Sequence, residues 1–284
     1  MSGPAPEATI GKRSHFADFI FILSVTVFVA LYFFAVRTRT GQRIDAASVR
    51  TPQVLKPSEF RLALRMHDWV SVASIAFIGG AIILMAFVRR RPRQAIASGV
   101  IMLGSMVTAQ LIKHTWPRPY RWIDDPLGTH NSFPSGHTTV AVALGVGAIV
   151  VASARSRRRV APLAALFASG VGTSLVATAS HRPSDIVGSA IVVVGWTAAV
   201  AFVMQRAGWG RRPAPDEEAS GGWLTISGLL LVFVGFAAAG IIIAATYVQR
   251  LPTIPIGRTF LASSSVITGT VFVCMAVVAR LQRN

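Results

Sequence analysis

Eight stretches of this chain are long and apolar enough to cross a bilayer, and every other feature has to be arranged around them. A membrane helix needs about 20 mostly apolar residues to cover about 30 Å of hydrocarbon. The runs 16–36, 70–88, 94–113, 137–154, 160–180, 184–205, 223–248 and 259–280 meet that demand. The predicted fold is therefore an all-α, polytopic membrane helical bundle. Charged residues make up only 14% of the chain, where a soluble domain carries about 25%. That excludes a soluble globular enzyme, a disordered chain and a disulfide scaffold. The single cysteine, Cys274, lies inside an apolar run and has no partner for an internal disulfide. The first run comes after Lys12-Arg13, but it is longer than a signal core and lacks a small-x-small cleavage site before Arg37, so it reads as a retained span.

The formal net charge of +17 invites a nucleic-acid reading. The arginines, however, sit in short clusters between apolar runs, where they set topology. No nucleic-acid partner is expected. The two tightest clusters, Arg89-Arg90-Arg91-Pro92-Arg93 and Arg155-Ser156-Arg157-Arg158-Arg159, fall on the same side of the membrane. The positive-inside rule makes that side cytoplasmic, and an even number of spans puts both termini there. The expected location is the cell membrane. The chain divides into four segments: a cytoplasmic tail at 1–15, a six-span core at 16–205, a solvated linker at 206–222 and a two-span C-terminal hairpin with a short tail at 223–284. Within the polar stretch 37–69, Ser58-Glu59-Phe60-Arg61 begins a capped helix lying at the outer interface.

Polar residues retained near membrane spans mark function. They gather in Lys113-His114-Thr115-Trp116-Pro117-Arg118-Pro119, in Pro134-Ser135-Gly136-His137 and in His181-Arg182-Pro183-Ser184-Asp185. These occupy the end of the third span, the start of the fourth and the junction of the fifth and sixth. An antiparallel succession brings all of those ends to one membrane face, outside the cytoplasm in the orientation above. Lys113 and Arg118 carry charge suited to phosphate oxygens. Ser135, Gly136 and the amides that open the fourth span form an anion site. Pro183 suits the first position of the sixth span, which places Asp185 where its carboxylate reaches back to His181. A carboxylate on one imidazole nitrogen leaves the other free to attack, with His137 opposite as proton donor. One histidine at an interface is more often structural; two, each beside Pro and Ser at opposed helix ends, point to phosphoryl transfer. His67, His114 and His130 read as rim residues, and Asp124 and Asp125 as part of a solvated loop.

These motifs resemble the type 2 phosphatidic acid phosphatase superfamily, integral-membrane lipid phosphatases with a six-helix core that are related to vanadium haloperoxidases. The family shows K-x6-R-P, P-S-G-H and S-R-x5-H-x3-D. Here the second is intact at Pro134-Ser135-Gly136-His137, and the third keeps Ser174, His181 and Asp185 but has Leu175 in place of arginine. The first is shortened to Lys113-x4-Arg118-Pro119, with Leu111 where the full spacing has lysine. The resemblance covers about residues 70–205. It implies His181 as the nucleophile that forms a phosphohistidine, Asp185 as its orienting acid and His137 as the general acid. Lys113, Arg118, Ser135 and Gly136 would bind phosphate. Arg182 or Arg121 would take over from the arginine missing at Leu175, or else phosphate would bind more weakly.

The expectation is a metal-independent phosphatase with no cofactor, acting on a membrane lipid phosphate or pyrophosphate. A polyprenyl carrier is favoured over phosphatidic acid and phosphatidylglycerol phosphate. Two rival readings stand beside it: a lipid phosphotransferase using the same site, and a catalytically silent lipid-binding protein, which Leu175 favours. The oligomeric state and the purpose of the last two spans are not legible in the sequence.

Overall fold

Each of the eight apolar runs is a helix. The computed structural model describes residues 15–68, 71–120, 125–128, 130–209, 222–248 and 256–282. Residues 1–14 of the predicted N-terminal tail, Arg121, Asp124, most of the 206–222 linker and the Leu251–Pro255 turn lie outside these described residues. In chain order the helices are α1 Phe16–Leu31, α2 Arg39–Val49, α3 Pro57–Asp68, α4 Val72–Val88, α5 Pro92–Thr115, α6 Gly136–Val151, α7 Ala154–Ala177, α8 Pro183–Arg206, α9 Gly222–Val248 and α10 Ile256–Leu281. α1 runs on through a π-helical turn, Tyr32–Val36. Every regular element among the described residues is helical. The chain is a multi-pass membrane bundle.

Six of the eight apolar helices, counting α1 with its π-helical turn, reach spanning length; α4 and α6 are shorter. α6 has 16 residues and so rises about 24 Å, less than the roughly 30 Å of hydrocarbon. It tolerates this because it is the central helix, packed by α4, α5, α7, α8 and α10 and buried along nearly its whole length. The extended residues before it, Ser132 to Ser135, are buried as well. Irregular backbone at such depth is stable only when protein surrounds it.

α9 and α10 pair closely, but they are not a detached hairpin. α10 packs on α7 and α8, and its Ile267, Val271, Met275 and Val278 join the same core as Val146, Leu175 and Ile186. α9 is more peripheral: its Leu224 joins that core, while Phe233 and Phe236 are exposed. The Arg280 guanidinium stacks 4.6 Å over the Phe16 ring, so the start of α1 and the end of α10 share one end of the bundle. Arg93, at the start of α5, stacks 4.9 Å over Trp209, just past α8, in the same manner.

The polar stretch 37–69 is more structured than its composition suggests. α3 begins at Pro57, one residue before the predicted start, and Glu59 Oε2 accepts from the Lys56 amide at 2.9 Å. α2 has no counterpart among the elements expected from the sequence. It folds back onto the end of the bundle and buries Gln42, Asp45, Ala46 and Val49, whose spacing is that of one helical face. A Cβ at Gly41 would collide with the Phe34 carbonyl and Ala35, so only glycine lets α2 turn back so tightly. Gln42 Nε2 donates to the Val36 carbonyl at 2.7 Å and to the Pro119 carbonyl at 2.5 Å, and Ser48 Oγ donates to the Thr259 carbonyl of α10 at 3.3 Å.

Candidate active site

The site is assembled where the start of α6 meets the start of α8. The Ser135 amide donates to the Asp185 carbonyl at 3.1 Å, and Ser189 Oγ donates to the Ser135 carbonyl at 2.8 Å. These bonds lock the two helix openings side by side. Ser135 is the N-cap of α6, accepting from the Thr138 amide at 3.3 Å. The Phe133–Pro134 peptide before it is cis. Phe133 packs in an aromatic cluster with Phe28 and Tyr32, and Tyr32 lies 4.7 Å from Trp116 in an edge-on arrangement. A Cβ on Gly188 would lie 2.7 Å from the Phe133 ring, so glycine there is required by packing. Gly136 differs. A Cβ there would meet only the Gln110 amide group at 3.5 Å, an ordinary contact. The fold does not demand this glycine; it leaves room beside the first amides of α6.

His181 is presented by a tight turn after α7. The Ser180 and His181 amides both donate to the Leu175 carbonyl, at 2.8 and 3.2 Å. Ala179 takes φ = 56° in this turn, a conformation in which glycine is favoured over alanine. Ala179→Gly is therefore expected to stabilise the protein by about 0.5–1 kcal/mol, read as a raised denaturation midpoint in detergent micelles. Leu175 itself is fully buried in the apolar core. The family's arginine position thus serves packing here, with its carbonyl holding the turn.

Pro183 is the first residue of α8, as its residue type predicts, with Arg182 as N-cap. Asp185 reaches back in the expected way. Its Oδ2 accepts from the Arg182 amide at 2.9 Å, from Ser132 Oγ at 2.5 Å and from His181 Nδ1 at 3.3 Å. An ionised carboxylate only accepts, so the Nδ1 proton is assigned to His181 and its Nε2 is left for chemistry. The His137 and His181 ring centres are 6.4 Å apart, inclined at 64°. Lys113, in the last turn of α5, is half-buried within the field of Asp185. Asn131 Nδ2 ties the end of that helix down by donating to the Lys113 and Trp116 carbonyls at 2.8 and 2.9 Å.

The two arginines sit differently from the phosphate-binding roles expected of them. Arg118 is buried between two carboxylates: one terminal nitrogen donates to Asp185 Oδ1 at 3.3 Å and the other to Asp45 Oδ2 at 3.2 Å. Arg182 has no exposed surface. Its Nε and one terminal nitrogen reach Asp125 Oδ2 at 2.9 and 2.7 Å, and the remaining contacts go to Ser132 Oγ and the His130 and Gly128 carbonyls. A guanidinium has five N–H donors, and these contacts use all five. Asp125, read from the sequence as solvated, is buried in this ion pair. Arg182 thus stitches the loop before α6 to the start of α8.

Sequence reasoning did not single out Asp45, Asn131, Ser132, Ser184 or Ser189. The Ser184 amide donates to Asp45 Oδ1 at 3.0 Å, and Ser184 Oγ donates to Asp45 Oδ2. The Asp45 carboxyl is raised above its ordinary value, chiefly by burial with added repulsion from Asp185, against the opposing pull of Arg118. Its signal was its place on the buried face of α2. Ser132 adjoins P-S-G-H, and Ser189 is a hydroxyl kept inside an apolar helix, which is a clue in itself.

Residues 94–210, which run from α5 through α8 and contain Lys113, His137, His181 and Asp185, match the sequence model of the PAP2 superfamily. This stretch is a PAP2 superfamily domain. No curated protein and no solved structure matches the chain. The PAP2 match and the apolar helices support a membrane phosphatase in general. α2 and its Asp45 lie outside the PAP2 match, as do α9 and α10.

Proposed function

We propose that the protein hydrolyses the phosphate or pyrophosphate of a membrane lipid through a phosphohistidine on His181, with a polyprenyl carrier as the favoured substrate. The arrangement of the two imidazoles carries this reading. Reacting atoms in an enzyme complex stand about 3–3.5 Å apart, so two imidazoles that act on opposite sides of one phosphoryl group must face each other across a gap of that group's size. The ring centres of His137 and His181 are 6.4 Å apart. His181 Nε2 attacks phosphorus while the bond to the leaving oxygen breaks, and His137 gives that oxygen its proton. Water, deprotonated by His137, then attacks the phosphohistidine and releases inorganic phosphate. Lys113, the Ser135 hydroxyl and the Gly136 amide at the start of α6 hold the equatorial oxygens.

A lipid substrate is favoured by an apolar groove of about 510 Å³ between α1, α5 and α8. Phe21, Phe28, Ile112, Trp116, Gly195 and Trp196 are among its walls. Ile112 and Trp116 flank Lys113 in the chain, so the groove reaches the last turn of α5, which also carries the cation proposed for phosphate. An apolar slot that reaches the turn of α5 carrying Lys113 suits an amphiphile with an anionic head. The arginine clusters at 89–93 and 155–159 lie at the opposite end of α5 and α6 from the histidines, which favours an extracytoplasmic site.

Purified protein given polyprenyl phosphates, phosphatidic acid, phosphatidylglycerol phosphate and a short-chain soluble ester tests the reading by phosphate release. Polyprenyl substrates are expected to give the highest kcat/KM. Gly195→Leu, which fills the groove, is expected to raise KM about tenfold more for the long-chain lipids than for the short ester, the order of a few buried methylenes. Equal effects on both would remove the groove from the substrate path. No release from any lipid phosphate would remove the reading.

A further inference from the structure

Asp45 is a buried carboxylate contributed by a helix outside the PAP2 match, yet it touches both elements that hold the nucleophile's partner acid. It accepts from Arg118 at 3.2 Å and from the Ser184 amide at 3.0 Å, and it also accepts from the Ser184 hydroxyl. Ser184 is the second residue of α8, next to Asp185. Arg118 spans the gap between the two acids, one nitrogen to each. A continuous chain of contacts therefore runs from Asp45 through Arg118 to Asp185 and His181. We propose that Asp45 is a positioning residue for the nucleophile: it shares Arg118 with Asp185, fixes the opening turn of α8, and so sets the charge that Asp185 presents to His181. The inference rests on the reading of His181 as nucleophile.

The two acids compete for one cation. A guanidinium held by a single carboxylate would draw most of that acid's charge to itself, and Asp185 must instead keep charge for the His181 Nδ1–H. A second carboxylate takes part of the guanidinium and leaves Asp185 more of its own field. The groups facing this cluster come from every neighbouring element: Arg118 from the segment after α5, Asp185 and Ser184 from α8, Arg182 and His181 from the α7–α8 turn, Lys113 from α5 and His137 from α6. α10 meets α2 through uncharged Thr259, with its neighbour Arg258 exposed. Among the contacts described above, Lys113, Arg118 and Arg182 are the cations and Asp45, Asp125 and Asp185 the acids. Removing the ionised Asp45 carboxylate shifts the balance by one charge.

The experiment compares wild type with Asp45→Asn, Asp45→Glu and Ser48→Ala, reading kcat, KM and the acidic limb of the kcat/KM pH profile. Ser48→Ala removes a hydrogen bond that docks α2 but no charge. Asp45→Asn is expected to lower kcat at least tenfold, with KM changed less than threefold. It should also move the acidic limb to lower pH by about half a unit or more, because loss of a negative neighbour favours the unprotonated ring. Asp45→Glu keeps the charge on a longer stem, so its limb stays with wild type while kcat falls. Ser48→Ala leaves the limb where wild type has it. A limb that Asp45→Asn does not move, or that Asp45→Glu moves as far, overturns the inference and leaves α2 a packing element. Should Asp45→Asn not fold, the Glu variant still decides, since an unchanged kcat there also overturns it. A His181→Ala protein that retains turnover would instead strike the nucleophile assignment beneath it.

Discussion

His181→Ala releases no phosphate from lipid substrates above background, a loss of about 10⁴–10⁶ in kcat, the scale seen when a nucleophile is deleted from an interdependent constellation. The ring cannot be replaced by its neighbours. Arg182 has all its donors occupied, Ser180 Oγ shares a hydrogen bond with Thr178 Oγ1, and His137 stands across the site. Folding should be spared. The His181 side chain is held through one 3.3 Å contact, whereas the turn that carries it is held by backbone bonds to the Leu175 carbonyl. The check is therefore double: phosphate release from micellar lipid, and trapping of an acid-labile, base-stable phosphoprotein from labelled substrate. Wild type should trap label and the variant none, with unchanged melting. Turnover within tenfold of wild type would dispose of the nucleophile, and label retained in the variant would place the covalent bond elsewhere.

What the sequence made legible was whatever depends on one-dimensional pattern. Eight apolar runs became eight helices, because in hydrocarbon a helix is the way a single segment satisfies its own backbone. Pro183 at the first position of α8 and Asp185 reaching back were readable because capping depends on residue type within a few positions. What stayed hidden depends on which distant side chains share a buried charge. Arg182 reads as a phosphate ligand for want of any sign that Asp125 lies opposite, 57 residues away. α2 is hard to see because its buried positions, Gly41, Gln42 and 45–49, are mostly small or polar and form no long apolar run. α10 looks separate from the core on the strength of a polar linker, although its own Ile267, Val271 and Met275 complete that core. A polar linker reports that the connection is exposed; it says nothing about whether the helices beyond it pack independently.

Arg182→Ala should be the most destabilising single change in the site, by about 3–5 kcal/mol, the cost of removing one partner from a buried ion pair. The loss comes from the groups left orphaned. With Arg182 gone, the Asp125 carboxylate loses its cation in a fully buried setting, the Gly128 and His130 carbonyls lose their donor, and Ser132 loses its link back to α8. Arg182→Lys should recover only a minority of the loss, since an ammonium has no fork with which to serve Asp125 and the loop together. Arg182→Ala/Asp125→Ala should be more stable than the sum of the two single changes predicts, because the double variant buries no unpaired charge. Denaturant titrations in micelles measure all of these, and vanadate affinity measured beside them separates the roles. A structural Arg182 costs stability and spares vanadate binding in whatever fraction remains folded. A variant that melts with the wild type yet no longer binds vanadate would return Arg182 to the substrate, and would mean that in the working enzyme Asp125 releases it.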